Sequence, residues 1–106
     1  MPRAKFQTLT EQMFYVLLCL REERCGIDIL DRVPVMTGGR VHVGSGTLYD
    51  LLEQFISAGM IRETKIEGRR RSYILTDKGH ETLEREYHRI RAQADDYDRW
   101  MKEEIP

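Results

Sequence analysis

Gly44-Ser45-Gly46-Thr47-Leu48-Tyr49-Asp50-Leu51-Leu52-Glu53-Gln54-Phe55-Ile56-Ser57-Ala58-Gly59 is the stretch on which the reading of this chain turns. Leu48, Leu51, Leu52, Phe55 and Ile56 recur at the i, i+3, i+4, i+7, i+8 spacing of one helical face. The opposite face carries Thr47, Asp50, Glu53, Gln54 and Ser57. Ser45 is the expected N-cap, because its hydroxyl can accept from a backbone N–H two or three residues on. Gly59 is the residue type that takes the left-handed conformation past a helix end. A short helix with an apolar back and a small polar front suits a part that enters a DNA groove.

Downstream, Met60 to Ile66 reads as a strand with partial alternation, Glu67-Gly68-Arg69-Arg70 as a turn, and Ser72 to Leu75 as the returning strand. Arg69, Arg70 and Arg71 thus sit at a hairpin tip. Thr76-Asp77 caps a last helix. In it, Leu83, Tyr87, Ile90, Ala94, Tyr97 and Met101 recur at spacings of 4, 3, 4, 3, 4, a heptad seam with charges between its positions. Such a helix spans some 25 residues, roughly 38 Å. A body of about 75 residues has a radius of gyration near 11 Å. It cannot cover both ends of that seam, so a second copy of the chain is expected there.

Upstream, residues 1 to 7 read as frayed. Thr8-Leu9-Thr10-Glu11 is a capping box, with Thr10 as the alternative cap. The helix that follows should run to about Glu23, and it is apolar nearly all round, which implies burial on more than one side. Cys25-Gly26 punctuates. Ile27, Leu30, Val33 and Met36 mark a second helix, expected to end or kink near Val33 because Pro34 lacks the N–H that would bond to Leu30. Thr37-Gly38-Gly39 is a loop, and Arg40 to Val43 an extended connector.

With 106 residues, 41% apolar and 33% charged, the chain is of a size and composition for one ordered domain. The longest apolar run, Met13 to Leu20, is far short of a membrane span, and no signal-peptide pattern precedes it. No membrane partner and a cytoplasmic location are therefore expected. The net charge of −1 is unevenly placed: 11 Lys/Arg against 9 Asp/Glu up to Leu75, and 6 against 9 from Thr76 onward. Cys19 and Cys25 match neither a disulfide framework nor a zinc spacing. His42, His80 and His88 have no partner set for acid–base or nucleophilic work. No catalytic residues, metal or cofactor are expected.

Helix, helix, helix, hairpin and long helix is the order of a winged helix-turn-helix with an added dimerisation helix: a mainly α fold with a small β-hairpin. Five blocks in order resemble the PadR family of bacterial transcriptional regulators. They are Thr10-Glu11-Gln12-Met13-Phe14-Tyr15-Val16-Leu17-Leu18, Thr37-Gly38-Gly39-Arg40, Gly46-Thr47-Leu48-Tyr49, Gly68-Arg69-Arg70-Arg71-Ser72-Tyr73 and Leu75-Thr76-Asp77-Lys78-Gly79. The length suits the family's short branch. The resemblance implies a homodimeric DNA-binding regulator, usually a repressor, released by a small hydrophobic or aromatic effector near the dimer interface. Three departures stand out. Arg24-Cys25-Gly26-Ile27 replaces a His-Gly-Tyr-Gly-like turn, Pro34 interrupts the second helix, and Ile90 stands where multidrug-sensing members place a Trp.

On this reading residues 1–75 form the DNA-binding domain and residues 76–106 the dimerisation helix. Ser45, Thr47 and Asp50 face DNA first, with Gln54 further along. Thr can contact a thymine methyl, Gln can pair with adenine, and Asp50 must accept from a cytosine amino group or orient a neighbour. Tyr49 either reaches a phosphate or packs under the wing. Arg69, Arg70 and Arg71 offer planar cations to phosphates or a narrow minor groove, with Arg40 and Lys65 as further phosphate contacts. Phe14, Leu18, Leu83, Tyr87, Ile90, Ala94, Tyr97 and Met101 are the expected dimer interface, and the cleft at Phe14, Leu18, Tyr87 and Ile90 is the place for an effector. The operator should be an imperfect inverted repeat in double-stranded DNA. The competing reading is a winged-helix module that binds a protein rather than DNA.

Overall fold

Thr10, not Thr8, opens the first helix, its hydroxyl accepting from the Met13 N–H at 3.2 Å. The computed structural model describes residues 8–102; the segment read as frayed, residues 1 to 7, lies outside them. Helix α1 covers Glu11–Cys19, ending well before the expected Glu23. Its last turn tightens, with Leu20 N–H on Leu17 O at 3.0 Å and Arg21 N–H on Leu18 O at 3.3 Å. The freed segment forms an unexpected strand, β1 (Arg24–Cys25). Arg24 locks it locally, bonding Cys19 O and Asp28, each at 2.9 Å.

Helix α2 (Gly26–Met36) runs through Pro34 to Met36, past the expected stop at Val33. Pro34 has no N–H to give, but its carbonyl accepts from Gly39 N–H at 2.7 Å. Gly38 N–H reaches Val35 O at 3.4 Å, and Thr37 Oγ1 donates to Val33 O at 2.9 Å. The last turn is thus secured from beyond the helix, at positive-φ glycines that no other residue type would replace cheaply.

Helix α3 (Ser45–Ser57) is the focal helix. Its N-cap is Gly44, one residue before the expected Ser45; Ser45 is already helical, so its hydroxyl is not a cap. The C-terminus is a Schellman motif, with Met60 N–H on Phe55 O at 2.9 Å and Gly59 N–H on Ile56 O at 3.0 Å, and Gly59 takes φ 75° as expected. Leu48, Leu51, Leu52 and Phe55 are buried in one core with Val16, Leu17, Leu20, Ile29 and Val33. Ile56, expected on that face, is exposed instead.

Strands β2 (Ile61–Glu67) and β3 (Arg70–Leu75) form the hairpin, and the sheet order is β1-β3-β2, all antiparallel. Glu67 pairs with Arg70, which leaves Gly68-Arg69 as a two-residue turn with Gly68 at φ 64°. The sheet is pinned to the first helix by Leu75 N–H on Leu20 O at 2.9 Å.

Helix α4 spans Asp77–Lys102. Its start is tied to the end of α3. Thr76 Oγ1 accepts from Gly79 N–H at 3.2 Å and donates to Gly59 O at 2.5 Å, while Lys78 Nζ donates to Ala58 O at 2.6 Å. Gly79, Thr82, Leu83 and Glu86 bury against the body, and from Tyr87 to Lys102 every residue is exposed. The radius of gyration is 16.0 Å, against about 12 Å for a compact chain of this size, because the distal half of α4 projects into solvent.

Glu86 is the buried charge in this joint. Its carboxylate accepts from Leu9 N–H, at the entry to α1, and from Arg89 Nε. Burial raises its pKa, but the Arg89 hydrogen bond, the Leu9 N–H and the charges of Arg89 and Arg85 outweigh that and leave it below the ordinary 4.5. A carboxyl depressed on folding stabilises the fold above its unfolded pKa and loses that contribution as pH falls through the depressed value. Glu86→Gln is therefore expected to lower stability by about 1–2 kcal/mol at neutral pH. In chemical denaturation at stepped pH, the gap to wild type should close below 4.5. A gap constant down to strong acid would show that shape, not charge, matters at this position.

Candidate nucleic-acid interface

The N-terminal half of α3 stands free of the core on its polar side. Ser45, Thr47, Tyr49, Asp50 and Glu53 are exposed, while Gln54 is half-buried. Tyr49 lines the same surface as Tyr73 and the hairpin arginines. Its ring lies over the start of α2, so close that a Cβ on Gly26 would come within 2.7 Å of the phenol oxygen. A side chain on Gly26 would therefore push the Tyr49 ring aside, so glycine suits this position by close approach rather than by φ.

Between α3, the start of α2 and the hairpin lies an open groove of about 890 Å³. Tyr49, Leu52, Ile56, Ile27 and Tyr73 supply its apolar surface. Asp50 and Glu53 line it from the helix, and Arg69, Arg70 and Arg71 from the hairpin. Tyr73 is buried, which pushes its phenol pKa up, and the nearby Glu63 carboxylate pushes the same way. The groove thus offers ring faces and aliphatic surface between donors on one wall and acceptors on the other.

The structure sorts the sequence-derived residues into three groups. Tyr49, Asp50, Arg69, Arg70 and Arg71 meet in the groove. Ser45 and Thr47 lie at the exposed start of α3 beside it. Arg40 and Lys65 are otherwise engaged. Arg40 pairs with Glu11 and donates to the Tyr15 hydroxyl at 3.1 Å, and the Glu11 hydrogen bond is the main cause of its raised pKa. Lys65 lies 3.3 Å from Glu67 and 3.6 Å from Glu23, with the Glu67 hydrogen bond the main cause of its raised pKa. Both are cations whose charge is already answered within the chain, a fact of tertiary packing that single-sequence patterns do not carry. Arg71 lies 3.7 Å from Glu63, whereas among the described residues Arg69 and Arg70 form no ion pair. Sequence reasoning missed Ile27 and Ile56 as groove residues. An isoleucine just inside α2 and a fifth apolar residue on α3 were signals of a second apolar surface.

The seam residues divide as well. Leu83 is buried by its own chain, and Phe14 and Leu18 are half-buried against the core. Tyr87, Ile90, Ala94, Tyr97 and Met101 are exposed, together with Trp100. Among the described residues no helix is long and apolar enough to cross a membrane, and no group of His, Cys, Asp or Glu is placed to hold a metal ion.

The family described as "Transcriptional regulator PadR-like family" matches residues 16–85, about two thirds of the chain. A transcriptional regulator from Clostridium thermocellum superposes with a TM-score of 0.74 at 16% identity, covering 88% of this chain and 98% of that one. A PadR family transcriptional regulator from Eggerthella lenta DSM 2243 gives 0.74 at 21% identity, over 87% of this chain and 82% of that one. RosR of H. salinarum gives 0.69 at 23% identity, over 82% and 78%. At these identities the likeness is one of fold, a winged helix-turn-helix with a long C-terminal helix. No curated protein matches.

Proposed function

Because the chain belongs to the PadR-like family of transcriptional regulators, and so is not an enzyme, we propose that it binds double-stranded DNA as a homodimer and represses transcription. The observation that carries this is the pair of unpaired guanidiniums, Arg69 and Arg70, at a hairpin tip beside the exposed polar face of α3. Two such cations, without an ion-pair partner among the described residues, are available to phosphates, and Ser45, Thr47 and Asp50 are exposed where they can meet base edges. Arg40 and Lys65 drop to a minor role, since each would first have to leave a carboxylate. Gln54, half-buried, contributes little base reading. The site of action is cytoplasmic, where the DNA is.

Support for the homodimer comes from α4. Tyr97 and Met101 expose 66% and 67% of their surface, and Tyr87 and Ile90 expose 47% and 41%, all on one heptad seam. Apolar surface in such a line, with no covering element among the described residues, is stabilised by a partner helix. A two-fold axis through that seam places two α3 helices against half-sites ~34 Å apart in an imperfect inverted repeat. The cleft between Phe14 and Leu18 of α1 and Tyr87 and Ile90 of α4 is the proposed seat of a small hydrophobic or aromatic effector, which would act by favouring the helix spacing that DNA does not.

A mobility-shift assay with a salt titration on the DNA upstream of its own gene tests the DNA reading. No shift at low salt would favour a protein partner at the same groove, whose exposed Ile27 and Ile56 would suit one. Ile90→Glu with Tyr97→Glu is expected to turn a micromolar dimer into a monomer by sedimentation, leaving the helical content of the body intact. A wild-type protein that sediments as a monomer at that concentration would remove the dimer.

A further inference from the structure

The two walls of the groove carry charges that do not neutralise each other. Asp50 and Glu53 are three residues apart on α3 and so share a face, and both are exposed and line the groove. Among the described residues neither carboxylate has an ion-pair or hydrogen-bond partner. Across from them, Arg71 leans on Glu63 at 3.7 Å, and Glu67 is taken by Lys65 at 3.3 Å. That leaves Arg69 and Arg70 as the uncompensated charges of the hairpin wall. A groove with two free cations on one side and two free carboxylates on the other selects for an occupant of matching polarity.

Duplex DNA meets that demand in only some sequences. Its phosphates suit the arginine wall. A carboxylate on the other wall repels phosphate, and it meets only acceptors at guanine N7 and O6 and at thymine O4. It can accept a hydrogen bond from an amino group, and the major groove presents one on cytosine N4 and one on adenine N6. We infer that Asp50 and Glu53 act as a pair of specificity residues, restricting the bound duplex to sites with cytosine or adenine amino groups opposite the middle of α3. Glu53 acts with the longer reach, one turn further along the groove than Asp50. The carboxylates lower affinity for every other sequence by repulsion, so discrimination comes as much from rejecting wrong duplexes as from holding the right one.

This inference rests on the DNA reading, and the test separates the two. Full-length wild-type protein and the Asp50→Ala, Glu53→Ala double variant are each used to select sites from a random duplex library. Binding to the wild-type site and to random duplex is then measured across a salt range. Alanine is a strong helix former and both positions are exposed, so melting curves should show an intact fold; the single variants serve if the double does not fold. The wild type should enrich cytosine or adenine at the positions facing α3. The double variant should lose that enrichment, bind random duplex several-fold more tightly, and lose roughly ten- to a hundredfold in discrimination. Its salt slope should stay near wild type, because no phosphate contact is removed. A double variant that selects the same bases with the same discrimination overturns the inference while leaving the DNA reading in place. A wild type that binds no duplex at low salt overturns both.

Discussion

Replacing Gly79 with alanine is expected to lower stability by about 3 kcal/mol or more, the upper end for overpacking a buried position. A Cβ at this position would stand 2.0 Å from the Met60 carbonyl oxygen and 2.8 Å from Leu75 Cδ2. The first of these is backbone, so no rotamer change relieves it, and α4 would have to lift off the end of α3. Lifting it strains the bonds that seat the helix: Thr76 N–H on Met60 O at 3.0 Å, Thr76 on Gly59 O and Lys78 on Ala58 O. For a domain near 100 residues the melting temperature should fall by roughly 12 °C or more, measured at fixed protein concentration because self-association of the proposed kind would also contribute. Gly46→Ala is the control. Nothing lies within 4 Å of a Cβ there, and alanine in a helix gains up to ~1 kcal/mol over glycine. A Gly79→Ala protein melting within two or three degrees of wild type would mean that α4 is not seated on α3 this way.

Removing both free wing cations, Arg69→Ala with Arg70→Ala, is expected to weaken DNA binding by about a thousandfold at physiological salt. Each phosphate contact contributes about 0.9 to the slope of log affinity against log salt, and a dimer would lose about four of them. The slope should therefore fall by roughly 3 to 4, and the loss should be nearly uniform across sequences because phosphate contacts carry no base information. Stability should hardly change, since neither side chain is buried. Arg40→Ala and Lys65→Ala should each do much less to the slope, as their carboxylate partners already hold them. A double variant with an unaltered slope would remove the hairpin from the interface.

Much of this architecture was legible in residue patterns, and the exceptions share one cause. The apolar spacing of α3, the glycine at its end, the two-residue hairpin turn and the threonine before α4 all act through neighbours a few residues away. Where a remote partner decided the outcome, the pattern misled. Strand β1 exists because β3 offers Tyr73 and Ser72 as pairing partners to Arg24 and Cys25, and the apolar run Met13 to Leu20 with the charged residues after it cannot show that. Helix α2 passes Pro34 because the Thr37-Gly38-Gly39 loop returns donors to its last carbonyls. The cap of α3 moved from Ser45 to Gly44, a matter of backbone angles in the incoming connector.

The candidate interface divides the same way. Three arginines after a glycine between two strand-like runs already placed a basic tip beside a polar helix face, because hairpin geometry is local. Which arginines remain free was not local. Glu63 approaches Arg71 from the strand opposite, and Glu11 reaches Arg40 from a helix twenty-nine residues earlier. The sequence by itself determined the four helices and the hairpin, their order and the apolar seam of α4, since periodicity and turn chemistry act over one or two turns of chain. Only the tertiary structure decided which charges are paired within the chain and which are left unpaired among the described residues, because an ion pair depends on two side chains meeting in space. Around α3, the stretch that organises the chain, that distinction leaves Asp50 and Glu53 on one wall and Arg69 and Arg70 on the other.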